Sequence, residues 1–157
     1  MWLRDNEPDL FARVHKFLHI KDFIAYRMTS AFVTDRSDAS GMNLYNLEGG
    51  TWSDEILNAI QLDPRRPPEI HNSTDVIGKL TKQAAEQLGL VPGTPVVIGG
   101  GDGASAVVEA GAVMESPAYN YIGSSSWISF AATRPIYDPG RRIFNWAHMV
   151  PDLFAPC

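Results

Sequence analysis

The chain has 157 residues, of which 13 are basic and 18 are acidic, so its formal net charge at pH 7 is −5. This excess of acid disfavours nucleic acid as a partner, because nucleic-acid-binding proteins need a basic surface to displace counterions. The single cysteine, Cys157, has no partner for an internal disulfide, and no apolar run approaches the ~20 residues that span a bilayer. We therefore expect a cytoplasmic protein with neither a nucleic-acid nor a membrane partner.

The first part of the sequence predicts short helices joined by polar segments. Apolar residues at helical spacing and N-cap signals define the helices, and turn-forming side chains define the loops between them. The elements expected are a helix from Pro8 to about His19, a helix over Lys21–Met28, a loop over Thr34–Gly41, a strand over Asn43–Leu47 and a helix after Ser53.

After a proline-rich loop at Asp63–Pro68, the composition changes toward strands. We expect a helix over Thr81–Leu88, a strand over Val96–Gly99, a helix over Gly103–Ala112, and strands over Ala118–Gly123, Trp127–Ala131 and Ile143–Met149. The change predicts a domain transition between about residues 89 and 95.

The first candidate site is a strand that runs through four glycines into a helix at residues 96–104. Glycines let another molecule approach the backbone, and Asp102 would project from the carboxyl end of the strand, where open α/β sheets bind ligands. Asp102 could instead be only the N-cap of the next helix. Residues 99–104 also satisfy a dinucleotide-loop pattern, although an aspartate would then face the pyrophosphate and the next strand ends in Gly123-Ser124 rather than an acid.

The second candidate site is the loop Gly123–Ser126, a glycine followed by three hydroxyl residues. Successive amides in a tight turn form a concave anion site, and hydroxyls add donors, so phosphate is a suitable ligand. A plain hairpin turn is the alternative. A G-x-S-x-G serine-hydrolase motif is absent, and the four histidines lack the spacing of a zinc site. An aspartate turn followed by such a loop indicates phosphoryl transfer, which needs a cradle for the anion and a carboxylate that accepts a proton.

Taken in order, the motifs resemble an internal segment of the FGGY carbohydrate kinases, and within that family the xylulokinase-like members. The resemblance covers nearly the whole chain. It is carried by Trp2–Pro8, Lys21–Arg27, Thr34–Gly41, Trp52-Ser53, Gly99–Asp102 and Tyr121–Ser126.

This resemblance implies an α/β fold of the ribonuclease-H-like, actin and hexokinase type, with two domains that close on a sugar and on ATP with Mg²⁺. Residues 1–92 would be the later part of the sugar-binding domain, and residues 93–157 the start of the nucleotide-binding domain. The family's opening strand and its late adenosine loop have no counterpart here. We therefore expect a fragment that is inactive alone and prone to self-association.

The resemblance also assigns roles to residues. Asp102 is implied to be the general base that deprotonates the sugar hydroxyl, with Gly101 and Gly103 keeping the turn open beside the sugar. The ATP phosphates are implied to contact Gly123, Ser124 and Ser125, and no metal ligand is expected from this chain. Residues 35–41 are expected to be mainly structural. Gly103 stands where many relatives carry asparagine, so the sugar stays open, and a non-catalytic kinase relic that binds a sugar or a partner is the alternative function.

Overall fold

Short helices and short strands alternate along the described part of the chain, residues 1–115 and 118–157 of a computed structural model. The helices are α1 (Trp2–Asn6), α2 (Pro8–Arg13), α3 (Ile20–Thr29), α4 (Arg36–Gly41), α5 (Asp54–Ala59), α6 (Lys82–Leu88) and α7 (Asp102–Glu109). The strands are β1 (Val33–Asp35), β2 (Tyr45–Asn46), β3 (Thr51–Trp52), β4 (Glu69–His71), β5 (Val76–Lys79), β6 (Pro95–Val97), β7 (Tyr119–Ile122), β8 (Ser126–Ser129), β9 (Asn145–Ala147) and β10 (Phe154–Pro156).

The strands pair two by two. β1 and β4 are parallel, and α4 and α5 lie in the crossover between them, as parallel pairing requires. The other pairs, β2–β3, β5–β6, β7–β8 and β9–β10, are antiparallel. A further bridge joins Ala132 to Phe154, so the chain leaving β8 lies against β10.

Small apolar residues form the core in separate clusters. One contains Leu80, Ala84, Ala85 and Val96 and holds α6 against the β5–β6 pair. Another packs Val107 of α7 against Ala112, Ala131 and Ala155. Because Val107 is only 3% exposed, this contact fixes α7, and with it the turn that precedes the helix, against the strands.

Three predicted helices are confirmed where local capping determines their ends. The helix expected over Lys21–Met28 is α3, and the helix expected over Thr81–Leu88 is α6. Thr81 accepts a hydrogen bond from the Ala84 amide, and Gly89 ends α6 in the left-handed region with φ of 67°. Ser53 caps α5 in the same way as Thr81 caps α6.

The prediction that the first helix reaches His19 is wrong, because α2 ends at Arg13. The following segment turns back onto the proline-rich loop. The Phe17 amide donates to the Arg66 carbonyl at 3.0 Å, and Lys16 Nζ donates to the carbonyl of Pro67 at 2.9 Å. The segment that continued the helical spacing is therefore held by bonds to the proline-rich loop instead of helical ones.

The predicted loop at Thr34–Gly41 is also wrong, since it contains the end of β1 and all of α4. The expected bonds between side chains and backbone do form. Asp35 accepts from the amides of Ser37 and Asp38 as the N-cap of α4, and these bonds begin a helix instead of a loop.

The remaining predicted strands and the Gly103–Ala112 helix are present but shorter. The strand predicted at Asn43–Leu47 is observed as β2. The four strands predicted after residue 95 are observed as β6, β7, β8 and β9. The helix is α7, displaced by one residue at its start. The division between residues 92 and 93 stays a prediction, and β6 beyond it pairs with β5 before it. Within the described ranges no helix is long and apolar enough to cross a membrane.

Candidate active site

Asp102 is the first residue of α7, immediately after the glycine turn. Gly101, in extended backbone conformation with φ of −64° and ψ of 154°, is the N-cap residue of this helix. The alternative that Asp102 is itself the N-cap is therefore wrong. Asp102 Oδ1 accepts from the Gly103 amide at 2.7 Å, and the carboxylate is exposed.

Asp102 lies at a cavity of about 250 Å³ that is lined by residues of α4, α7 and the strands β7 to β10. The lining residues include two aspartates, Asp38 and Asp102, and two tryptophans, Trp127 and Trp146. Ligand pockets are usually about 300–1,000 Å³, apolar over most of their surface and polar at a few positions. The cavity has that composition and is small, so it suits a compact ligand with several hydroxyls.

The glycine turn leaves room beside Asp102. A side chain added at Gly103 would meet no atom within 4 Å, whereas one at Gly101 would lie 3.5 Å from Asp38 Oδ1. Gly99 has a φ of 71°, which only glycine adopts without strain. Gly101 and Gly103 therefore border the Asp102 cavity, and the open side of the turn is at Gly103.

The hydroxyl loop is the tip of the β7–β8 hairpin. Ile122 pairs with Ser126 at the end of the ladder, and the Gly123 amide donates to the Ser125 carbonyl at 2.9 Å. Gly123, Ser124 and Ser125 are exposed. The prediction that this segment forms a hairpin turn is thus confirmed. The Asp102 cavity is lined by residues of the hairpin strands and not by these three, so the structure keeps the two candidate sites adjacent but separate.

A cluster of charged side chains between α3 and the start of α4 was not predicted from the sequence. Lys21 Nζ lies 2.8 Å from Asp22 Oδ1, 3.1 Å from Asp35 Oδ1 and 3.6 Å from Asp38 Oδ2. His19 Nδ1 lies 2.8 Å from Asp38 Oδ1. Apart from His19, the residues of the cluster belong to two of the motifs that carry the family resemblance, Lys21–Arg27 and Thr34–Gly41. A lysine in the first motif and two aspartates in the second were the sequence signal that could have predicted the ion pairs of Lys21 with Asp35 and Asp38.

Burial and pairing act in opposite directions in this cluster. Burial raises the pKa of Asp22 above its ordinary value, although the hydrogen bond from Lys21 works against that shift. Burial would lower the pKa of Lys21, but hydrogen bonds and charge attraction from Asp22 and Asp35 outweigh it, so the pKa is raised. Lys21 therefore stays charged and is the cation on which the buried carboxylates depend.

The histidines occupy structural positions. His15 packs edge-on against Phe32 with ring centroids 5.1 Å apart. His148 is buried, and burial lowers its pKa, while Nε2 bonds to the Ala112 carbonyl at 2.9 Å. Across residues 1–115 and 118–157, no three His, Cys, Asp or Glu side chains are grouped so that they could hold a metal ion.

Comparison with known proteins identifies similar chains. Residues 1–108 match the family model for the N-terminal domain of the FGGY family of carbohydrate kinases. The xylulose kinase of Lactococcus lactis is 34% identical over 151 residues, which are 96% of this chain and 30% of that protein.

Solved structures agree with the sequence matches. A gluconate kinase from Lactobacillus acidophilus superposes with a TM-score of 0.91 at 25% identity, over 99% of this chain and 31% of that one. A xylulose kinase from Rhodospirillum rubrum gives a TM-score of 0.88 at 28% identity, over 99% of this chain and 31% of that one. The predicted actin and hexokinase type of fold is confirmed by these superpositions. The chain spans about 30% of the length of the curated relatives it matches.

Proposed function

The chain belongs to the FGGY family of carbohydrate kinases, and from this premise we propose that the whole protein transfers the γ-phosphate of ATP to a hydroxyl of a small sugar, polyol or sugar acid. The observation that carries the proposal is the position of Asp102. Its carboxylate stands at the start of α7, on the edge of a compact cavity and next to the open side of a glycine turn.

In the proposed reaction Asp102 is the general base. The substrate hydroxyl donates its proton to the carboxylate while the hydroxyl oxygen forms a bond to the γ-phosphorus, and the bond from that phosphorus to the β-phosphate oxygen breaks. ADP leaves and the protonated carboxyl returns its proton to solvent. Phosphoryl transfer depends mainly on positioning and charge stabilisation, so the protein must align the hydroxyl with the phosphate.

The cavity next to Asp102 would hold the sugar. Indole rings such as those of Trp127 and Trp146 pack against apolar C–H faces, and Asp38 offers oxygens that accept hydroxyl protons. Xylulose and gluconate, which the names of the similar proteins specify, are the first substrates to test. Gly103, with open space at its Cβ position, gives the substrate more room there than asparagine would.

The nucleotide phosphates would lie against Gly123, Ser124 and Ser125. Support comes from the exposure of the hairpin tip and from its separation from the cavity proposed for the sugar. Mg²⁺ would arrive with ATP, because Asp38 and Asp102 supply only two carboxylates near the cavity and substrate phosphates complete such sites. When bound, Mg²⁺ would neutralise charge that develops on the phosphates. Because ATP is the donor, the proposed location is the cytoplasm.

The test is Asp102→Asn in the whole protein, assayed by ADP release over a panel of ketopentoses, polyols and aldonic acids. Loss of a general base typically lowers kcat by about 10²–10⁴-fold, and we expect KM for the sugar to change little. The matched control is Asp54→Asn, which removes an exposed carboxylate from the first position of α5 and keeps near-normal kcat. Wild-type turnover in Asp102→Asn would contradict the proposal. Sugar binding by the whole protein without ADP release from any substrate would favour the non-catalytic alternative.

A further inference from the structure

The turn before Asp102 is attached to a helix that lies far earlier in the sequence. The Gly101 amide donates to Ser37 Oγ at 3.0 Å, across 64 positions of the chain. Ser37 Oγ in turn donates to Asp35 Oδ2 at 2.5 Å. A hydroxyl has one proton and two lone pairs, so giving its proton to the carboxylate leaves the oxygen free to accept the amide. The direction of both bonds is thereby fixed.

Asp35 is held rigidly at the other end of this connection. Its side chain is fully buried, and Oδ2 also accepts from Ser73 Oγ at 2.7 Å and from the Ser37 amide at 2.9 Å. Oδ1 lies 3.1 Å from Lys21 Nζ and accepts from the Asp38 amide at 3.3 Å. Hydrogen bonds to a charged group are roughly twice as strong as neutral ones, so this carboxylate has little freedom to move.

Backbone bonds hold the two ends of the glycine turn: the Gly99 amide donates to the Ser73 carbonyl at 3.0 Å, and the Gly101 carbonyl accepts from the Ser105 amide and from Ser105 Oγ, each at 2.9 Å. Residues 99–101 are glycines, so no side chain of the turn can anchor it. The Met149 side chain occupies the space where a Cβ of Gly100 would be, with Sδ 2.6 Å from that position, and it covers the turn from one side. The bond from the Gly101 amide to Ser37 Oγ is the contact that ties the backbone at the start of α7 to α4.

We propose that Ser37 and Asp35 are positioning residues for the base, fixing the Gly101 backbone so that the Asp102 carboxylate meets the substrate hydroxyl. This inference rests on the proposed function and gives the segment at residues 35–41 a role beyond the structural one predicted from its sequence. A displacement of about 1 Å can lower the rate by about 10²-fold, so a bond that sets the turn affects catalysis without touching the substrate.

Ser73 provides a matched control, because its hydroxyl donates to the same carboxylate oxygen and makes no bond to Gly101. The Ser73 carbonyl accepts from the Gly99 amide, but this bond uses the backbone and is kept in Ser73→Ala. Ser37→Ala and Ser73→Ala each delete one hydrogen bond to Asp35 Oδ2. Both variants are expected to lower the urea midpoint of unfolding. A purely structural role for Ser37 predicts the same behaviour for both, whereas the positioning role predicts a difference at Gly101.

The first measurement is amide hydrogen exchange at Gly101 in the whole protein, read by mass spectrometry from overlapping peptides that cover the glycine turn. We expect Ser37→Ala to accelerate this exchange about tenfold, the effect of losing one hydrogen bond, and Ser73→Ala to change it much less. Ser37→Thr, which keeps the hydroxyl, should retain the protection. If Ser37→Ala does not fold, Ser37→Cys, with its weaker acceptor, should show an intermediate acceleration. Unchanged exchange, or equal acceleration in Ser37→Ala and Ser73→Ala, overturns the inference.

The second measurement separates this inference from the proposed function. In the whole protein, Ser37→Ala should lower kcat about tenfold or more while KM for ATP stays within about twofold. If Asp102→Asn loses turnover and Ser37→Ala does not, the positioning role is wrong and the proposed function stands. If Gly101 exchange responds as expected but Asp102→Asn keeps its turnover, the bond to Ser37 is real but positions no base, and both proposals fail.

Discussion

Lys21→Met tests how far the buried charge cluster stabilises the fold. Lys21 Nζ is within 3.6 Å of three carboxylates, and two of these, on Asp22 and Asp35, are on fully buried side chains. Methionine keeps much of the length and apolar volume of lysine and removes the ammonium group, with its charge and its hydrogen bond to Asp22 Oδ1. The substitution therefore leaves three carboxylates in the cluster without their shared cation.

Removal of one partner from a buried ion pair typically costs about 3–5 kcal/mol, because the remaining charge is left unpaired and without water. Here the charge that is left on Asp22 can be removed by protonation. Burial already raises the pKa of Asp22 above 3.8, and loss of Lys21 removes the main influence that lowers it. In the variant, the folded state will bind a proton at a pH where the unfolded chain does not, so the variant gains stability as pH falls.

The assay is urea unfolding of the whole protein, followed by far-UV circular dichroism at about pH 7.5 and about pH 5. We expect a loss of about 3–5 kcal/mol at the higher pH and a clearly smaller loss at the lower one. Lys82→Met, at an exposed lysine in the first position of α6, is the control and should change stability by less than about 0.5 kcal/mol. A loss below about 1 kcal/mol, or equal losses at both pH values, would refute the argument.

The other predictions concern the two loops and the chain itself. Replacing Ser124 and Ser125 by valine in the whole protein should raise KM for ATP and leave KM for the sugar nearly unchanged in initial-rate assays, and the reverse pattern would mean that the loop serves the sugar. Gly103→Asn should leave the urea midpoint of the chain nearly unchanged, because its Cβ position is open, and should shift the preference between xylulose and gluconate in the substrate panel; a strong loss of stability would contradict the described geometry. The 157-residue chain alone should release no ADP with any sugar and should elute as associated species in size-exclusion chromatography, because apolar residues such as Ile122, which is 79% exposed, lie uncovered on a sheet edge. Turnover by a monodisperse monomer would contradict that last expectation.

Local signals in the sequence predicted the elements whose ends depend on neighbouring residues. Thr81 and Gly89 frame α6, and Ser53 begins α5, because caps act within one turn of helix. The candidate turn at Asp102 was also predictable, since a buried strand, glycines and a small-residue helix follow each other directly. The alternative that made Asp102 the N-cap of α7 was wrong by one residue. Gly101 takes the extended cap conformation itself, and the helix begins at Asp102.

Long-range contacts determined the features that the sequence did not predict. Helix α2 ends at Arg13 because the next residues bond to a loop about fifty positions later, as Lys16 does with Pro67. The pairing of β1 with β4 is parallel and depends on a crossover, so no local turn indicates it. The cluster around Lys21 likewise forms only when α3 and α4 meet.

The two tryptophans that line the Asp102 cavity also provide an intrinsic fluorescence probe of its occupancy. Two of the four tryptophans, Trp127 and Trp146, line that cavity, and Trp127 stacks on Tyr121 with ring centroids 3.9 Å apart and planes 12° apart. Trp2 and Trp52 lie outside the cavity, and their emission would form a constant background. A molecule entering the cavity displaces water from Trp127 and Trp146, so its arrival should shift intrinsic fluorescence without any attached dye. Occupancy can then be titrated even in variants that no longer turn over.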